Sequence, residues 1–193
     1  MQPTEPERRF LSILGGYLVS LPFDLKAFQE AVADENLDRA ARDMAAGTIV
    51  HTLLPQDGDT LLRFIDDALI VRAALRAVAD CSGDAGPDFK ARFAEMYENL
   101  DSEIALFSEV LGDLWIWLAS KPATFPKLQY KGRRATAYVD DEESQSALYD
   151  EGLEFQTNYS VSEAQVNNRL RRVDQVTEFL SKKRAEEARK LNQ

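Results

Sequence analysis

Apolar residues recur at steps of three and four along most of the chain, the period that lines one face of an α-helix, so the expected fold is mainly α. Pro22-Phe23-Asp24 offers a proline for a first helical turn. Phe23, Ala27, Phe28, Ala31 and Val32 follow at helical spacing, which predicts a short helix to about Ala33. Asp34 suits the cap of a second helix, whose stripe of Leu37, Ala40, Ala41, Met44, Ala45, Thr48 and Ile49 must stop at Pro55. The two read as a helical hairpin. A third helix is expected from about Asp59 to Ala79, closing before the small and polar run at 82–86.

The clearest pattern is the fourth: Phe89, Phe93, Met96, Leu100, Ile104, Phe107, Leu111, Leu114 and Leu118, between Pro87 and Pro122. Read as one helix it is a spine of about 45–50 Å, at about 1.5 Å per residue, against which shorter helices pack. Its end, Trp115-Ile116-Trp117-Leu118, is apolar all round. Ile116 and Trp117 therefore need a second covering surface, from the chain's own C-terminal region or from a partner.

Past residue 120 the pattern changes to a connector, 121–160. It is basic first, with Lys121, Lys127, Lys131, Arg133 and Arg134, and then acidic at 140–143. Composition favours short strands at 135–139 and 153–159. Ser162-x-x-Gln165 fits a capping box that opens an amphipathic helix, marked by Val166, Leu170, Val173, Val176 and Leu180. Lys182, Lys183, Arg184, Arg189 and Lys190 make its end positive, which suits the negative pole of a helix. The stripe fades past Leu180, so the helix is expected to dock by its first half. The expected organisation is a helical bundle over 1–120 with a long fourth helix, the connector, and a C-terminal extension over 161–193 ending in the amphipathic helix.

Composition narrows the function. At 193 residues and 45% hydrophobic content the chain can bury a sizeable core. Its 33 acidic residues against 23 basic give a net charge of -10, so a nucleic-acid partner is not expected. The basic connector, interleaved with Phe125 and Tyr130, offers either phosphate contacts or, as the preferred reading, neutralisation of acidic surface on this chain or a second copy. Cys81 is the single cysteine and His51 the single histidine, which excludes an internal disulfide and a multi-histidine metal site. A cytoplasmic location is expected. Arg8-Arg9 before the apolar run 10–23 superficially resembles an export signal. Glu5 and Glu7 contradict its charge, and Gly15-Gly16 and Pro22 break the run, which reads as too interrupted to span a membrane.

The stretch richest in ionisable groups joins a Leu54-Pro55-Gln56-Asp57 turn to Phe64-Ile65-Asp66-Asp67-Ala68-Leu69. It resembles the acidic signature of the YkvA-like family, a bacterial domain without an established activity. The interval is shorter than that family's, and Arg63 stands where a glycine is usual. The resemblance implies a bacterial fold and no reaction. Read from the residues, Asp59, Arg63 and Asp66 share one helix face, so Arg63 can bridge two carboxylates on a solvated surface. Alternatively Asp57, Asp59, Asp66 and Asp67 hold a hard cation, Mg or Ca. Arg72 lies among apolar positions of the same helix and must snorkel to water or pair with a carboxylate of a neighbour. His51 reads as a structural residue near a helix end, since no nucleophile or acid is paired with it in sequence.

The expected function is that of a non-catalytic regulatory or adaptor protein, needing no cofactor. Its expected partner is another protein or a second copy of itself, met through Trp115, Ile116, Trp117, Leu170, Val173, Val176 and Leu180. Two alternatives stand beside it. One is a metal-dependent enzyme acting on phosphate esters through the four aspartates; the other is a peripheral membrane protein using 10–23.

Overall fold

Thr4 accepts a hydrogen bond from the Glu7 amide while the Glu7 carboxylate accepts one from the Thr4 amide, and this capping box opens the first helix, α1 (Glu5–Ala33). In the computed structural model, which describes residues 3–55 and 61–191, α1 is 29 residues long and runs straight through Gly15-Gly16 and Pro22. The short helix expected to begin at Pro22 is therefore corrected. Pro22 has no amide to offer Leu18 one turn earlier, and the Tyr159 hydroxyl donates to the Leu18 carbonyl instead. With the stranded acceptor satisfied, helix continues on both sides of the proline. By length and composition α1 is also apolar enough to cross a membrane, which corrects the reading of 10–23 as too broken. Half of that apolar window is buried inside this fold, where Phe10, Leu14, Leu18, Leu21, Leu25 and Phe28 form the centre of the core.

Helix α2 (Arg39–Leu53) packs on α1, and α3 (Ile65–Asp80), entered through a 3-10 turn at Leu62–Phe64, packs on both. Asp59, the expected start of the third helix, lies outside the described residues. The expected fourth helix is a correction. The periodicity is real, but the chain breaks it into α4 (Gly86–Arg92), α5 (Ala94–Tyr97), α6 (Leu100–Leu111) and α7 (Asp113–Ser120). The joints are Phe93 at φ -116 and ψ 38, Asn99 at φ -108 and ψ 0, and Gly112 at φ 53 and ψ -124. Each bend keeps an apolar side on the core, so Phe89, Leu100, Phe107, Leu111, Trp115 and Leu118 stay buried without a straight axis.

After a 3-10 turn over Pro122–Lys127, a small hairpin pairs β1 (Gln129–Tyr130) with β2 (Arg133–Arg134). Lys131 at φ 48 and Gly132 at φ 78 make the two-residue turn, since both central positions of such a turn are left-handed. The strands expected at 135–139 and 153–159 do not form: Ala135–Val139 is a 3-10 turn, and 153–158 lies inside α8 (Glu142–Asn158). Asp141 caps α8 by accepting from the Ser144 amide at 2.8 Å, a local signal that outweighs β-favouring composition.

The Ser162–Gln165 capping box opens α9 (Glu163–Arg169), but the tail is two helices and not one. The chain turns at Leu170. The Gln175 side chain then accepts from the Arg171 and Arg172 amides, each at 3.0 Å, and so caps the start of α10 (Val173–Leu191). Helices α8 and α9 lie along α1, while α10 lies against α7.

Candidate functional site

His51 stands in the last turn of α2, while Asp66 and Asp67 stand in the first turn of α3. A helix start favours carboxylates and a helix end favours an imidazole, so two packed helices that follow one another in the chain present these groups to one another. Their ligand atoms lie within 4.8 Å of one another, and His51 Nε2 is 3.2 Å from Asp67 Oδ1. Both aspartates have no exposed surface. The expectation of a solvated helix face is corrected: the first turn of α3 carries Asp66 and Asp67 into the buried junction of α2 and α3.

The opposite wall comes from two distant segments. At Gly47, one turn before His51, a Cβ would lie 2.5 Å from the Phe125 carbonyl carbon, so only glycine lets that backbone cross α2 there. The crossing lays the Phe125 ring on the imidazole, with centroids 4.4 Å apart and planes 15° apart, which fixes the ring's orientation. From the tail, Lys183 of α10 brings its ammonium 2.5 Å from Asp66 Oδ2. Burial first, and the Asp67 charge next, push the Asp66 carboxyl up to about 6, while Lys183 and His51 draw it back.

A second polar seam crosses the core nearby. Arg72 is 3% exposed, so it does not snorkel. It pairs with Asp24 of α1 and lies 3.6 Å from the centre of the Tyr17 ring, whose hydroxyl bonds Glu103. Burial holds the Asp24 carboxyl above its usual range, opposed by Arg72 and by the Ser20 hydroxyl.

The sequence-predicted residues divide. Asp66 and Asp67 come together; Asp57 and Asp59 lie outside the described residues. Trp115, Leu170, Val173, Val176 and Leu180 are buried in the chain's own core, Trp117 is half-buried, and Ile116 is 67% exposed. Lys121 reaches over the Trp117 ring at 4.4 Å and pairs with Glu187 of α10 at 2.6 Å, joining α7 to the tail. In the basic connector, Lys131 pairs with Glu151, Tyr130 donates to the same carboxylate, and Arg133 donates to Ser144. The site residues missed from sequence are His51 and Lys183. Gly47 four residues before His51 was the available trace of the first; a lysine one turn past the last buried leucine of the tail was that of the second.

No family model matches the chain, and neither a curated protein nor a solved structure matches it.

Proposed function

We propose that this chain is a non-catalytic regulatory or adaptor protein that binds another protein through helical surfaces, with α10 as the element exchanged when the partner binds. The observation that supports the reading is how α10 is fastened. Val176 and Leu180 are fully buried and Val173 nearly so, but across 181–190 only Lys183 and Glu187 are even partly covered. Lys183 pairs with Asp66 and Glu187 with Lys121. An element seated by a short apolar stripe, with most of its second half exposed, opens at a fraction of the global unfolding free energy. Ile116 projects from α7, the helix that seats α10, and gives a partner an apolar contact on the same element.

The test is a photo-crosslinking residue at position 116, used in native extract, with and without Leu180→Ala. The expected result is an adduct with a second polypeptide whose yield changes when Leu180→Ala loosens the tail, in a protein whose circular dichroism stays helical. No adduct, or a yield indifferent to the substitution, would overturn the reading.

A further inference from the structure

His51, Asp66 and Asp67 converge at the junction of α2 and α3, with one ligand atom of each within 4.8 Å of the others. The Asp66 carboxyl is fully buried: its Oδ2 is met by the Lys183 ammonium, while its Oδ1 has no hydrogen-bond partner among the described residues. His51 Nε2 faces Asp67 Oδ1 at 3.2 Å, its ring held flat by Phe125. A nitrogen and carboxylate oxygens thus surround one small volume. Donors that share an ion at about 2.1 Å stand at most about 4.2 Å apart, so a cluster within 4.8 Å closes on one by a shift of about half an ångström.

We propose that His51, Asp66 and Asp67 form a binding site for a divalent first-row transition ion, and that the Lys183 ammonium holds the ion's place until the ion displaces it. The donor set selects the metal class. One imidazole with two carboxylates suits Mn²⁺, Fe²⁺ or Zn²⁺, whereas Mg²⁺ and Ca²⁺ favour all-oxygen shells. Lys183 arrives on α10, so ion and tail compete for Asp66. That last consequence, unlike the site itself, rests on the reading of α10 as exchangeable.

Titration of the full chain with Mn²⁺, read by loss of the free-ion electron paramagnetic resonance signal, tests the site. Wild type is expected to bind one Mn²⁺, and Asp66→Asn to bind none. Lys183→Met is expected to bind about tenfold more tightly, a modest part of what two close charges exchange near a protein surface. Should Asp66→Asn fail to fold by circular dichroism, His51→Gln serves in its place and is expected to weaken Mn²⁺ binding. In wild type, Mn²⁺ is also expected to speed acetylation of Lys183, followed by peptide mass spectrometry. No Mn²⁺ bound by wild type or Lys183→Met, or equal binding by the folded ligand variant, overturns the site. Lys183→Met binding no more tightly, or unchanged acetylation with Mn²⁺ bound, overturns the displacement. A chain that binds no Mn²⁺ while its crosslinks at 116 still depend on Leu180 keeps the tail reading and loses the metal site.

Discussion

Tyr159 shows how one side chain licenses a residue that would otherwise end a helix. Pro22 strands the Leu18 carbonyl in the middle of α1, and the Tyr159 hydroxyl supplies the missing donor while its ring packs on Phe64 and Phe155. Tyr159→Phe keeps the ring contacts and removes the donor, so it is expected to destabilise the fold by about 1–3 kcal/mol, the cost of leaving a buried acceptor unmet. Pro22→Ala restores a backbone amide at the right place. In that background Tyr159→Phe should cost clearly less, and a double-mutant cycle in urea measures the difference. Additive costs would show that the hydroxyl and the proline are unrelated. Arg72 follows a related logic: a buried guanidinium is tolerated because Asp24 and Tyr17 meet it from α1.

At the scale of elements, the joints matter more than the helices. Gly112 sits at φ 53 and ψ -124, a conformation that strains any residue with a side chain, and it sets the angle between α6 and α7. Were 100–120 one straight helix, Gly112→Ala would stabilise it by up to about 1 kcal/mol through helix propensity. The bent structure gives the opposite sign, a loss of about 1–3 kcal/mol, read from the urea midpoint of the full chain. This is also where sequence reading stopped. The stripe from Phe89 to Leu118 is legible because burial selects it whether the axis is straight or jointed, and for the same reason it does not report the joints. Capping chemistry is short-range, so Ser162 with Gln165 could be read before any fold was known. The continuation of α1 through Pro22 and the break at Leu170 depend on side-chain groups of Tyr159 and Gln175, which periodicity does not carry. Asp66 and Asp67 stood out by composition alone. Their partners did not, because His51 and Lys183 reach them only after α2, α3 and α10 have packed.

At the scale of the whole molecule, the tail closes the structure at the same place where the candidate site lies. Val176 and Leu180 are fully buried, each worth about 1.5–3 kcal/mol relative to exposure, and Lys183 balances a carboxylate that has no exposed surface. A chain ended after residue 171 loses all three contributions, and loses Glu187 from Lys121 above the Trp117 ring. Removing the charge partner counts separately, since an unbalanced buried carboxylate costs more than the ion pair itself gains. The truncated chain is therefore expected to remain helical, because α1, α2 and α3 pack on one another without α10, but to melt several degrees lower. Its tryptophan emission should shift to the red as Trp117 gains water, while Trp115, packed against Phe107 inside the core, keeps a blue component. Lys183→Met in the full chain separates the two causes: it should reproduce part of the loss in melting temperature and leave the emission in place. A truncated protein with wild-type melting temperature and emission would show that α10 contributes nothing to the fold, and the assignment of the tail as its closing element would fail.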